Sequence, residues 1–208
     1  ISSKMSQEDF DSLKRVMLCE ANYLVDEVEV KAGRTTNNRP ESNIWSGTYL
    51  YRTAMMYPQA DRREEYLEKG TCFLVNGISL AADSSNSEVI NGRPVATWFV
   101  GDNFFDSFAL NHHGYLNVGY MYICLSNIAM LYFTYRLKNL SIPKVLLRHV
   151  SELWQLTKLC TFPDGRLCRI GGDTRIRYCY CQDYALPSWL MMYDICGDVS
   201  CKTFEENW

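Results

Sequence analysis

GYMYICLSNIAMLYFTY, residues 119–135, is the longest uncharged apolar run in the chain, and whether it crosses a membrane or lies inside a protein decides how everything around it folds. A bilayer-spanning helix needs ~20 predominantly apolar residues. This run is shorter and carries Ser126 and Asn127, so it reads as a buried helix, extended by its neighbours to about 118–137. A helix that is apolar all round must be enclosed by other elements, and the flanking sequence offers them.

On the N-terminal side, Phe10, Leu13, Met17, Ala21, Leu24 and Val28 share one helical face while Asp11, Lys14 and Arg15 lie off it. That pattern predicts an amphipathic helix over 6–30. The polar stretch KAGRTTNNRPES (31–42) ends it, and Ser42 or Asn43 can cap a second helix, SNIWSGTYLYRTAMMY, which must stop before Pro58. A third helix is expected over 62–82, with Tyr66, Phe73, Leu74, Ile78 and Ala81 inward and Glu64, Glu65, Glu68 and Lys69 outward. On the C-terminal side a helix over 142–160, capped by Ser141 with Pro143 in its first turn, sets Leu146, Val150, Leu153, Trp154 and Leu156 against Lys144, Arg148, Glu152 and Lys158. The last helix is ALPSWLMMYDI (185–195). Six helices paired as consecutive hairpins make an all-α fold, an α-bundle or an α/α toroid in which long loops crown a cleft. We read residues 1–208 as one domain. Three hairpins form only an arc of a closed toroid, so the chain is expected to be part of a longer protein or to bury its end faces by self-association.

With 47% apolar and 22% charged residues the chain has a globular composition. A net charge of −3 gives no broad cationic field, so nucleic acid is not an expected partner. The nine cysteines are odd in number and contain no CxxC pair, which argues for mostly reduced thiols and a reducing compartment rather than a disulfide framework or a zinc ribbon. The sequence opens at Ile1 without a signal-peptide pattern, as a fragment or a processed form would.

Two stretches break the helical rhythm. The first, 83–110, includes Asn91-Gly92 as a tight turn, then aromatic residues dense enough to cover or line a cavity. The second, TFPDGRLCRIGGDTRIRYCYCQDY (161–184), has a further turn at Asp164-Gly165 and gathers Arg169, Asp173, Arg175, Arg177, Tyr178, Tyr180 and Asp183, too many polar groups for a core without a network. Between them stands NHHGY (111–115), holding two of the three histidines. Locally it reads as a helix approach in which the histidines hydrogen-bond nearby groups and Gly114 relieves crowding. If both irregular stretches crown one end of the helices, His113 and Tyr178 converge across a cleft instead.

NHHGY resembles the asparagine-histidine-glycine motif, N-[N/H]-H-G followed by an aromatic, of the α/α-toroid polysaccharide lyases of the alginate lyase and heparinase II/III-like group. FPDGRLCRIGGDTRIRY is similar to their later DG…TR…Y segment, and the helix with Trp45 that ends in MMYP is also similar to that group, so the resemblance runs from about 43 to 194. It implies a lyase of uronic-acid-containing glycans, with His113 matching the motif histidine and Tyr178 the tyrosine, and it implies a secreted or periplasmic setting. These lyases often carry asparagine just before the histidine, where this chain has His112, with Asn111 one residue further back.

β-Elimination removes the C5 proton of a uronate, which requires that the adjacent carboxylate be neutralised as an enolate-like intermediate forms. Asn111, His112 or Arg175 can do this. Tyrosine and histidine suit the base that takes the proton and the acid that protonates the departing oxygen, if nearby Arg175 and Arg177 lower the tyrosine pKa. Trp45, Trp98, Phe104, Phe105 and Tyr115 offer flat faces for sugar rings or pack in the core, and Arg177 and Asp183 can bind the substrate's polar groups. The expected partner is an acidic polysaccharide or oligosaccharide, and no cofactor is required. A structural divalent metal would draw on His112, His113, Asp102 and Asp106. Two other classes fit the same residues: a non-catalytic module that binds glycan or protein, and a toroid glycoside hydrolase using two of Asp102, Asp106, Asp173 and Asp183.

Overall fold

The Asn117 side chain accepts the backbone N–H of Tyr120 and so begins the helix that contains the long apolar run, α5 (Val118–Leu137). The computed structural model describes residues 4–36, 38–168 and 181–208, and none of its helices is long and apolar enough to cross a membrane. α5 is buried on nearly all sides, from Val118 to Tyr135. Its enclosure comes from α2 (Pro40–Met56) and α7 (Ala185–Cys196), which pack against it, with α6 (Val150–Leu159) also in contact. α3 (Arg63–Val75) lies against α2, and α8 (Ser200–Asn207) against α7. α1 (Gln7–Asp26), opened by a capping box between Ser6 and Asp9, covers α2 and α3 through a second, smaller apolar cluster of Ala21, Leu24, Leu50, Ala54, Tyr66 and Phe73. The described structure is 61% helical with short antiparallel hairpins, as the periodicity predicts.

The helix ends depart from the sequence expectation, each for a local reason. α1 stops at Asp26, well before residue 30, and Val28 and Val30 pack against the smaller cluster from extended chain. α2 starts at Pro40 and is not capped by Ser42 or Asn43. Proline at the first helical position lacks only an N–H that would be unbonded anyway, and Asn43 is buried inside the helix, donating to Lys31 O and Asn76 O at 2.9 and 2.7 Å. α3 ends at Val75 rather than near 82 because Asn76 turns its side chain outward to the next segment. That amide donates to Trp98 O at 2.8 Å and accepts from Val100 N at 2.7 Å. The predicted helix over 142–160 begins only at Val150; residues 144–147 form a 3-10 turn. Arg148, expected on the outer face, is buried and pairs with buried Asp83, while His149 takes a left-handed φ of 57°, which a continuous helix forbids. α8 was not foreseen.

The first irregular stretch holds a short α4 (Val95–Trp98) and the hairpin β1 (Val89–Ile90) and β2 (Arg93–Pro94) around Asn91-Gly92, as predicted. The turn at Asp164-Gly165 is likewise present, closed by a bridge between Thr161 and Leu167.

Candidate functional site

NHHGY is not a helix approach. It is a second hairpin, β3 (Asn111–His112) pairing with β4 (Tyr115–Leu116). The two connecting residues, His113 and Gly114, have φ of 62° and 88°, the pair of left-handed conformations that a two-residue turn needs to match the twist of its strands. Gly114 has open space around it, so glycine is there for its backbone angle. The Asn117 side chain ties the hairpin to the start of α5 by donating to His112 O and the Tyr115 hydroxyl at 3.3 and 3.2 Å.

Adjacent strand and turn positions send the two histidines to different environments. His113 is exposed, and its Nε2 lies 3.3 Å from the Tyr120 hydroxyl. His112 is 9% exposed and packs its ring against those of His113 and Tyr120, each with centroids 4.2 Å away. Its Nδ1 is 2.7 Å from Asn38 Oδ1, and its Nε2 is 4.0 Å from Glu41 Oε1. Burial, and then the neighbouring His113, lower the His112 pKa to about 4, so this imidazole is neutral at pH 7. Glu41 sits in the first turn of α2, where burial pushes its carboxyl above the ordinary value. Ser42 donates to its Oε1 at 3.2 Å. Among the described residues neither Glu41 Oε2 nor Asn111 Oδ1 has a hydrogen-bond partner. The arrangement combines the His113 imidazole in contact with the Tyr120 phenol, a neutral buried imidazole and two acceptors without partners among the described residues, more than a finished core leaves open.

A buried asparagine network holds this site in place. Asn103 accepts at Oδ1 from Gly33 N and Arg39 N, at 3.3 and 3.2 Å, and donates to Asn76 O at 2.6 Å. Its own carbonyl accepts from Asn38 Nδ2 at 2.8 Å. Loop backbone buried outside regular structure must find partners for its N–H and C=O groups, and Asn38, Asn43, Asn76 and Asn103 provide them. The chain just before α2 and the 99–104 segment are thereby fixed beside the hairpin.

The other predicted positions divide clearly. Trp98 is buried, donates Nε1–H to Ile90 O at 3.1 Å and lies under the Arg93 guanidinium, 3.8 Å from the ring centroid; Phe104 is fully buried. Trp45 and Asp183 are exposed, and Tyr115 is half-buried. Asp102 pairs with Arg34 at 2.8 Å, and Asp106 is exposed. Among the described residues no three His, Cys, Asp or Glu side chains gather as metal ligands. Asp173, Arg175, Arg177 and Tyr178 lie outside the described residues. The chain that follows them returns at Cys181, whose side chain packs against Gly119, where an added Cβ would stand 2.8 Å from Cys181 Cβ. Gln182 then joins both sides of that stretch, accepting from Leu167 N at 2.9 Å and donating to Gly165 O at 2.8 Å.

Sequence reasoning missed Asn38, Glu41 and Tyr120. An acidic residue after a proline at a helix start is ordinary first-turn chemistry, and a tyrosine inside an apolar run reads as core, so neither announces a site. No family model, curated protein or solved structure matches the chain.

Proposed function

We propose that the chain is a polysaccharide lyase-like domain that cleaves uronic-acid-containing glycans by β-elimination, on an open arc of an α/α toroid. The observation that carries this reading is the NHHGY turn itself: an exposed His113 whose Nε2 is 3.3 Å from a tyrosine hydroxyl, with Asn111 on the adjoining strand. Elimination asks for that set, one group to take the C5 proton, one to return a proton to the departing oxygen and one to meet the uronate carboxylate. His113 and a tyrosine share the proton transfers, Tyr178 by the motif resemblance and Tyr120 by its contact. Asn111 Oδ1 faces no partner among the described residues, and in this reading the amide N–H of the same side chain donates to the carboxylate. In this reading Arg175 and Arg177, which lie outside the described residues, supply the positive charge. No cofactor enters these steps. The helix contacts agree with the toroid: the first helices of successive hairpins, α2, α5 and α7, pack side by side, with α3, α6 and α8 as their partners.

The test is direct. Elimination creates a carbon–carbon double bond conjugated with the carboxylate and hydrolysis does not, so ultraviolet absorbance on alginate, heparan sulfate, hyaluronan and pectic polymers is expected to rise on at least one of them. New reducing ends without absorbance would point to a hydrolase, and binding without either product to a non-catalytic module.

A further inference from the structure

The Asn38 amide decides more than the position of His112. Its nitrogen must face Asn103 O, 2.8 Å away, because a carbonyl oxygen can only accept. Its Oδ1 therefore faces His112 Nδ1 at 2.7 Å as an acceptor, which places the ring proton on Nδ1 and leaves Nε2 with a bare lone pair. That lone pair looks toward the Glu41 carboxyl, 4.0 Å away. Two acceptors facing each other in a buried place, with no donor between them, repel; one proton turns the repulsion into a hydrogen bond. The gap is longer than a hydrogen bond of about 2.7–3.2 Å, so sharing the proton requires the carboxyl to move toward the ring.

We infer that Glu41 and His112 form one acid–base unit that holds a single proton between the Glu41 carboxyl and His112 Nε2, with Asn38 selecting the ring nitrogen that takes part. Glu41 is thus a positioning residue: it fixes the ring on which His113 and Tyr120 stack, and its own titration sets when that ring is held. Its consequence for elimination rests on the lyase proposal, whereas the proton-sharing does not. The groups that face the unit are His113 on the turn, Tyr120 and Cys124 on α5, and Arg39 and Ser42 at the start of α2. Cys124 is fully buried with its thiol pushed far up by burial, so it stays neutral. The charge of Arg39 opposes the upward shift at Glu41 without cancelling it. Interacting sites of this kind titrate in two macroscopic steps that belong to the pair. The second proton enters only near the low His112 value of about 4, and the first enters above the ordinary carboxylate range.

Nitrogen-15 NMR of the histidine-labelled chain tests this without any activity. His112 is expected to give the neutral Nδ1–H pattern, with Nε2 shifts that move in a distinct step above the normal carboxylate range. In Glu41→Gln, which offers a donor but cannot titrate, that step disappears while the tautomer is kept. A wild-type Nε2–H tautomer would overturn the proposal and needs no variant to fold; so would a step that survives in Glu41→Gln. In the elimination assay the same variant is expected to lose the corresponding limb of the pH–rate profile. A wild type that makes no unsaturated product would sink the lyase proposal and leave the NMR result standing.

Discussion

The two hairpins, 89–94 and 111–116, are built on the same device and put to different ends. Each joins two-residue strands through a residue at positive φ followed by glycine, Asn91-Gly92 in one and His113-Gly114 in the other. In the first, the turn residue, itself exposed, reaches back to the helices beneath it. Asn91 donates to the Tyr51 hydroxyl at 2.7 Å and to Thr71 Oγ1 at 2.6 Å, and Trp98 donates to Ile90 O. Its polar groups are matched, and it acts as a plug between α2 and α3. In the second, the turn residue lays its ring against His112 and Tyr120, and among the described residues Asn111 Oδ1 on the strand and Glu41 Oε2 nearby are left without partners. Buried polar groups in a native structure are nearly always satisfied, so identical turns can be told apart by what their neighbours leave unmatched.

The largest expected difference between them is in turnover. If the second hairpin carries the chemistry, His113→Ala and Tyr178→Phe each reduce double-bond formation by about 100-fold or more, since a positioned proton-transfer group contributes roughly 10²–10⁴ in rate. The helical circular dichroism is expected to stay as it is. Unchanged turnover in both variants would remove these residues from the mechanism and leave the hairpins functionally alike.

The contrast also explains what the sequence could disclose. α5 was legible because an uninterrupted apolar run has one sensible place in a helical protein, and Asn91-Gly92 because Asn-Gly is the common signature of this turn. His113-Gly114 uses the same geometry with a rarer residue, and its histidines drew attention to chemistry before conformation. Other errors were made by partners far away in sequence. Asp83, sixty-five residues from Arg148, pulls that arginine inward and delays α6, and Asn76 ends α3 early to serve the backbone of Trp98 and Val100. The burial of Glu41 beside His112 is likewise a tertiary fact that no local pattern encodes. Tyr178, Arg175 and Arg177, singled out as part of a polar cluster and by the motif resemblance, lie outside the described residues.

A smaller effect should appear in the pH dependence of stability, and only at the second hairpin. The folded-state pKa of His112 is lowered to about 4 from 6.5. Its contribution is therefore fully present above about 6.5 and is lost as pH falls toward 4, because the unfolded chain takes up the proton first. At about 1.4 kcal/mol per pH unit the loss reaches at most about 3.5 kcal/mol. Glu41, raised by burial, acts in the opposite window: its contribution is full at low pH and is lost as pH rises through its raised value. Urea unfolding between about pH 4 and 7 should show wild type losing more stability on acidification than His112→Gln. A difference independent of pH would mean that the fold leaves the His112 pKa where the unfolded chain has it. Asn91, which does not titrate, gives no such dependence when replaced.

The smallest effect separates the hairpins by size. Glycine relieves the cost of a left-handed backbone, about 1–2 kcal/mol for an ordinary residue and less for asparagine. At position 113 the relief is set against the 3.3 Å contact with the Tyr120 hydroxyl and the ring contacts with His112 and Tyr120, so His113→Gly should change stability by less than about 1 kcal/mol while abolishing elimination. At position 91 the relief is smaller and two short side-chain hydrogen bonds to Tyr51 and Thr71 are lost, leaving a partly buried polar pair short of a donor. Asn91→Gly should therefore destabilise by about 1–2 kcal/mol and leave the turnover per folded molecule unchanged. Thermal melts of the two variants, with the elimination assay alongside, decide it. Destabilisation of the same size by glycine at both positions would show that His113 holds the fold as Asn91 does, and that its exposure on the turn is no sign of a catalytic task.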